Sequence, residues 1–139
     1  MRFRRYNESP PPDITSVMGR LLSDQVLREE FANSPHEVAQ RLGLEGANLE
    51  YIAALDPVEL EQQAETLVLK RFQEVRALAP NSLHALGGEA LTLFRYYAQQ
   101  EWPSGHRRHL IDTIGFLEFV NQNSFEIDAT ELRRIRRKR

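Results

Sequence analysis

One apolar stripe with proline at both ends limits what the middle of this chain can fold into. After Asp56-Pro57 and up to Pro80, apolar residues recur every three or four positions, which is the period of an α-helix. Aspartate followed by proline is typical of a helix start, and a second proline ends the helix. The pattern therefore predicts one long helix. Its apolar face consists of Leu60, Ala64, Leu67, Val68, Phe72, Val75 and Ala79.

The rest of the chain also carries helix signals and almost no strand signals. No stretch alternates cleanly over six residues, and no Asn-Gly or Asp-Gly hairpin turn is present. The expected fold is all-α, a single-domain compact bundle of five to seven helices with an extended N-terminal arm and a basic C-terminal helix or tail. Further helices are expected over residues 15–33 with a break near 23–24, 35–42, 48–55, 82–97 with a break at 87–88, 110–120 and from 128 onward.

The two ends of the chain differ from this helical body. Three consecutive prolines at positions 10–12 favour extended backbone, so residues 1–14 are expected to form an arm. Asp128 and Glu131 have the spacing of a capping box, which favours a terminal helix. The expected division is an arm over residues 1–14, a helical domain over 15–126 and a basic segment over 127–139.

Charge is also divided between the ends and the body. The ends, residues 1–5 and 131–139, hold nine of the 18 basic residues and one of the 20 acidic residues. Residues 6–130 therefore hold nine basic and nineteen acidic residues, which gives an acidic body between two cationic ends. Charge that is segregated in this way is informative about what a protein binds and says little about its fold.

Composition and motifs exclude several classes of protein. With 41% apolar and 27% charged residues, the chain is typical of a water-soluble globular protein. No apolar run is long enough for a membrane span, and no secretory h-region follows the N-terminus, so a cytoplasmic location is expected. The absence of cysteine excludes disulfides and thiolate chemistry. No phosphate-binding loop, dinucleotide fingerprint or nucleophile elbow is present, so neither catalysis nor a cofactor is expected.

The histidines offer one candidate metal site. His106 and His109 are three residues apart and would share a helix face, with Asp112 one turn further. Two imidazoles and a carboxylate can hold a transition metal. Arg107 and Arg108 would repel a cation, however, so a solvated first helical turn is the preferred interpretation.

Acidic residues are concentrated between positions 45 and 65, a stretch without lysine or arginine. Several of them would lie at the N-terminus of the long helix, where the helix dipole favours negative charge. The alternative is an acidic docking face for a basic partner, made of Glu50, Glu59, Glu61 and Glu65.

The basic C-terminal segment is the sharpest functional signal. Two aliphatic residues would share one face of a helix while cationic side chains cover the rest. Such a segment can bind a polyanion such as nucleic acid, a partner protein or the acidic body of the chain itself, and it is a poor lipid anchor. Its cationic residues are Arg133, Arg134, Arg136, Arg137, Lys138 and Arg139.

Residues 67–120 resemble a known family. The motifs that carry the resemblance are Lys70-Arg71-Phe72, Leu78-Ala79-Pro80, Leu86-Gly87, Trp102-Pro103 and Gly115-Phe116. The segment is similar to small helical bacterial proteins described as DNA-binding domains, which include the partner subunit of the iron enzyme in methanobactin biosynthesis. Residues 31–44 resemble helical segments of Nif11-type leader peptides and of the small subunit of extradiol dioxygenases. The first resemblance implies an accessory subunit without catalytic residues of its own.

Three functions follow from these observations. The leading expectation is a non-catalytic helical accessory protein that binds a protein partner in a bacterial biosynthetic or regulatory system. The first alternative is a nucleic-acid-associated protein that uses the basic C-terminal segment, with Arg2, Arg4 and Arg5 as further contacts. The second is a small metal-binding protein that uses the histidine pair. No pattern in the sequence indicates an oligomeric state.

Overall fold

The computed structural model describes residues 13–139, and all regular structure among them is helical. The all-α class is therefore confirmed. None of these helices is long and apolar enough to cross a membrane. The described residues form nine α-helices and one 3₁₀ turn: α1 (Ile14–Ser23), α2 (Gln25–Asn33), α3 (Pro35–Arg41), α4 (Gly46–Ala53), α5 (Pro57–Leu78), α6 (Pro80–Leu86), the turn Gly87–Glu89, α7 (Ala90–Gln100), α8 (Arg108–Gln122) and α9 (Ala129–Lys138).

The helices outnumber the expected five to seven because caps and glycines divide the chain at short intervals. Asp24 ends α1 and caps α2, where its Oδ1 accepts a hydrogen bond from the backbone N–H of Leu27 at 3.0 Å. Gly43 and Gly87 have φ angles of 92° and 61°, in the left-handed region that favours glycine, and they close α3 and α6. The breaks expected near residues 24 and 87 are both confirmed.

The start of α6 differs from the expectation. The helix was expected to begin at residue 82, but it begins at Pro80, which also ends α5. Proline can do both because it lacks the N–H that would continue the first helix and has the φ angle that starts the next. Ser82 is buried instead, and its hydroxyl accepts a hydrogen bond from the backbone N–H of Asp128 at 3.1 Å.

The expected arm reaches less far than residue 14. Asp13 caps α1, and its Oδ1 accepts a hydrogen bond from the backbone N–H of Ser16 at 2.7 Å. This bond lowers the pKa of Asp13 below its usual value. Residues 1–12, where the rest of the arm was expected, lie outside the described part of the chain.

Contacts among the helices divide the chain into two units, and the division along the chain falls within α5. The first unit extends to Gln62, and the second is Gln63–Arg139. This division was not expected from the sequence, whose composition indicated boundaries at residues 14 and 126. The first unit has its own core, made of Val17, Leu21, Leu27, Phe31, Val38, Ala39, Leu44, Ile52 and Leu60.

The second unit is built around an aromatic cluster. The ring of Phe94 lies 5.6 Å from the rings of Phe72 and Tyr97 and 5.2 Å from the ring of Phe116, measured between centroids. These separations are typical of favourable tilted and edge-on contacts. Phe94, Tyr97 and Phe116 are buried, and the half-buried ring of Phe72 packs against them, so these rings form the core of the unit.

Candidate functional site

Helix α9 packs on the second unit through its two aliphatic residues. Leu132 and Ile135 are buried in the core of this unit, three residues apart on one face of the helix. Asp128 caps the helix by accepting hydrogen bonds from the backbone N–H groups of Thr130 and Glu131 at 3.0 and 3.1 Å. The bond from Glu131 is the main cause of a lowered pKa at Asp128. The basic segment is therefore a capped and packed helix.

A buried carboxylate fixes the start of α9. Glu131 is 3% exposed and accepts hydrogen bonds from the backbone N–H groups of Asn81 and Ser82 at 3.0 and 2.8 Å. These are free donors in the first turn of α6, which the dipole of that helix makes favourable for an anion. The terminal helix expected from the capping-box spacing is present, and the carboxylate of Glu131 caps α6.

The cationic side chains of α9 cover the rest of the helix surface. We call Arg133, Arg134, Arg136, Arg137, Lys138 and Arg139 the cationic face, and all six are exposed.

The first three members of the cationic face have partners within the second unit. Arg136 pairs with Glu118 at 2.7 Å, Arg134 donates to the carbonyl of Leu78 at 3.2 Å, and Arg133 donates to the hydroxyl of Thr130 at 3.4 Å.

The last three members are free to meet a partner. Arg137, Lys138 and Arg139 form no ion pair or side-chain hydrogen bond with residues 13–139. Arg107, which precedes α8, donates to the carbonyl of Lys138 at 3.2 Å and adds a fourth positive charge at this end of the helix. The C-terminal end of α9 is therefore a compact group of exposed cations.

A second site lies within the same unit, where α5 meets α8. Arg71 is 8% exposed, and it pairs with the buried carboxylate of Asp112 through two parallel hydrogen bonds. Its Nε donates to Asp112 Oδ2 at 2.8 Å and its Nη2 to Asp112 Oδ1 at 2.7 Å. This two-pronged geometry is the strongest arrangement for a guanidinium and a carboxylate.

Three further groups complete what we call the Arg71 centre. The Tyr97 hydroxyl donates to Asp112 Oδ1 at 3.1 Å, and the carbonyl of Glu101 accepts from Arg71 Nη2 at 2.8 Å. The indole of Trp102 lies 4.7 Å from the guanidinium carbon, close enough for a cation–π contact. Burial, followed by the negative charge of Asp112, raises the pKa of the Tyr97 hydroxyl above its usual range.

The histidine pair does not form the expected arrangement. His106 lies in a turn before α8 begins, so it does not share a helix face with His109. Asp112 is bonded to Arg71 and Tyr97 instead of being open to a metal. In the part of the chain that the structure describes, no group of three or more histidine, aspartate or glutamate side chains is placed to hold a metal ion.

The members of the expected acidic docking face are distributed over both units. Glu50 and Glu61 belong to the first unit, where they pair with His36 at 3.3 Å and with Arg28 at 2.8 Å. Glu59 is exposed in the first turn of α5. Glu65 belongs to the second unit, where it pairs with Arg95.

Partners within the chain therefore already engage three of the four carboxylates expected to form the docking face. An external basic partner would have to displace these partners.

The Arg71 centre was not predicted from the sequence, although a signal for it was present. Arg71 lies four residues after Leu67 and four before Val75, on the apolar stripe of α5. A charged residue on a buried stripe needs a partner, and Asp112 has the same position within the apolar arc of α8. The sequence contained both halves of the pair, but nothing in it showed that they meet.

Comparison with known proteins identifies no relative. No family model matches the chain, and no curated protein or solved structure matches it significantly. The resemblance of residues 67–120 to small bacterial DNA-binding-domain proteins stays a prediction.

Proposed function

We propose that this protein is a non-catalytic accessory protein of the bacterial cytoplasm that binds an acidic partner protein through the C-terminal end of its cationic face. The observation that carries the proposal is that α9 is packed with its aliphatic residues inward, while Arg137, Lys138 and Arg139 are exposed and have no ion-pair partner among residues 13–139. A fixed helix loses little conformational entropy when a partner binds its surface, which favours recognition over loose attraction.

The distribution of charge favours a protein partner over a nucleic acid. The cations occupy one helix of ten residues, which is about 15 Å long, and the body of the chain is strongly acidic. A duplex needs a broad basic footprint along its phosphates, and an acidic body would repel it. An acidic patch on a protein needs positive charge only over the small area that it contacts.

Nucleic acid is the second candidate, and the position of Arg107 favours it. This guanidinium adds to the group of cations at the end of α9 and makes a compact site that can contact several phosphates. Binding of this kind would show a steep dependence on salt concentration.

Co-purification of the full chain from a bacterial lysate, with and without nuclease, separates these candidates. The bait is compared with two variants of equal charge change, R137Q/K138Q/R139Q in α9 and R2Q/R4Q/R5Q at the other end. We expect a discrete protein that survives nuclease and disappears with the α9 variant alone. Equal loss with both variants would show a general charge effect and would contradict a site on α9.

A titration with a duplex DNA oligonucleotide over a range of salt concentrations completes the experiment. If nucleic acid is the partner, the α9 variant should reduce the slope of log affinity against log salt by about three, which is roughly one phosphate contact per lost charge. An unchanged slope would exclude these three residues as phosphate contacts.

A further inference from the structure

We propose that the second unit contains a binding pocket for a small oxyanion, a carboxylate or phosphate group, beside the Arg71 centre. The proposal goes beyond the function proposed above, since it concerns a different surface and a different class of ligand.

The first observation is the set of hydrogen-bond donors on Arg71. A guanidinium has five N–H groups. Asp112 and the carbonyl of Glu101 accept from Nε and Nη2, and together they use three of these groups. The remaining two belong to Nη1, which is buried and has no hydrogen-bond partner among the described residues. Buried N–H donors without an acceptor are costly, and an oxyanion could accept hydrogen bonds from both of them.

The second observation is a pocket lined by the same arginine. The pocket has a volume of about 290 Å³, and Trp102, Lys70, Arg108 and Glu74 line it together with Arg71. This volume suits a small molecule and is too small for a polymer. Trp102 lies in the loop between α7 and α8, is 37% exposed and contacts the guanidinium, so its indole forms the wall of the pocket beside Arg71.

The third observation is the charge of the pocket. Asp112 is neutralised by its two bonds to Arg71. Lys70 and Arg108 are exposed and form no ion pair or side-chain hydrogen bond with residues 13–139. Against these two cations stands one carboxylate, Glu74, which leaves an excess of positive charge. A pocket with this balance attracts an anion and repels a cation.

Fluorescence of Trp102 provides the test, because it is the one tryptophan of the chain and lies in the pocket. The full chain is titrated with inorganic phosphate and, separately, with acetate, each at constant ionic strength set with chloride. We expect a saturable change with a dissociation constant on the order of millimolar. A response to phosphate, acetate or both supports the site and identifies the preferred oxyanion, whereas no saturable response to either overturns the proposal.

Variants of lining residues outside the buried core make the test specific without endangering the fold. K70Q/R108Q should weaken binding by about tenfold, because it removes two cationic contacts. E74Q should tighten binding several-fold, because it removes an opposing charge. R20Q changes an exposed arginine of the first unit and should leave binding unchanged. Equal affinity of all three variants would mean that the fluorescence change does not arise in this pocket, and the proposal would be wrong.

Two further measurements complete the test. The first observes Arg71 without substituting it, and the second distinguishes the pocket from the cationic residues of α9. The Nε–Hε resonance of Arg71 in the intact chain should shift with the same dissociation constant, and a stationary resonance during a fluorescence change would overturn the site. R137Q/K138Q/R139Q should retain full phosphate binding. Loss of phosphate binding in that variant would place the anion on α9 and not in the pocket.

Discussion

Each unit of this chain contains an arginine that is paired with a carboxylate and nearly buried. The two arginines differ in whether their Nη1 atom has a hydrogen-bond partner. The side chains of Arg28 in the first unit and Arg71 in the second are 11% and 10% exposed. Arg28 bonds Glu61 through Nε and Nη2, and its Nη1 donates to the carbonyls of Leu21 and Leu22, each at 2.9 Å. Arg71 bonds its carboxylate in the same way, but its Nη1 has no hydrogen-bond partner in the described part of the chain.

The difference indicates two roles for similar side chains. Arg28 uses every nitrogen to hold its own unit together, and its Nη1 satisfies carbonyls in the last turn of α1. Its partner Glu61 is 54% exposed, so water can replace the carboxylate. Arg71 has a buried partner and two unused hydrogens. The first arrangement is complete within the chain, and the second has the capacity to bind a ligand.

The largest expected effect comes from removing the carboxylate charge opposite each arginine. Asp112→Asn should lower the free energy of unfolding by about 3–5 kcal/mol, because it leaves the charge of Arg71 buried without a counterion. Glu61→Gln removes the same charge from an exposed partner and should cost less than about 1 kcal/mol. Urea unfolding followed by circular dichroism and by Trp102 fluorescence measures both variants. Similar losses in the two variants would contradict the distinction between the two pairs.

A second test uses one helical glycine from each unit. A Cβ atom added at Gly115 in α8 would lie 2.5 Å from the hydroxyl oxygen of Tyr97, whereas one added at Gly19 in α1 meets nothing within 4 Å. Gly115→Ala should therefore cost about 1–3 kcal/mol by displacing the tyrosine from Asp112. Gly19→Ala should stabilise the chain by up to about 1 kcal/mol, since alanine favours helix.

Thermal unfolding of the two alanine variants gives the comparison directly. The expected result is opposite signs of the change in midpoint. If Gly115→Ala is neutral, then close packing around Tyr97 does not support the Arg71 centre, and that centre depends on its ion pair alone.

The sequence was sufficient for most of the local structure. Helix starts at Asp24, Pro35 and Pro57 and the breaks at Gly43 and Gly87 follow from backbone chemistry that involves only a few neighbouring residues. The burial of one face of α9 also follows from its two aliphatic residues. These features were predictable because their causes are local.

The parts that could not be predicted depend on contacts between distant positions. Arg71 and Asp112 are 41 residues apart, and Glu131 caps α6 from a distance of 49 residues along the chain. A single sequence shows that these residues are present, but it does not show which of them contact each other. The same limitation applies to the candidate metal site. Spacing along the chain grouped Asp112 with the two histidines, whereas in the structure Asp112 pairs with Arg71.

The smallest expected effect concerns Tyr97, which is a further difference between the two arginine pairs. Its hydroxyl donates a hydrogen bond to the carboxylate that pairs with Arg71, and no tyrosine does so for the carboxylate that pairs with Arg28 in the described residues. Tyr97→Phe should lower the free energy of unfolding by about 1 kcal/mol near neutral pH through loss of the bond to Asp112.

The same substitution should also change how the free energy of unfolding depends on pH above pH 10. Unfolded tyrosine ionises near pH 10, whereas the raised pKa of Tyr97 keeps its proton in the folded chain. The unfolded state then binds fewer protons, so wild-type stability should fall by about 1.4 kcal/mol per pH unit above pH 10 through this group. Tyr97→Phe should lack that contribution, while Tyr51→Phe, which changes a side chain that is 59% exposed, should retain it. Urea unfolding between pH 8 and 11 measures the slopes, and identical slopes for the two variants would show that Tyr97 ionises as freely as an exposed tyrosine.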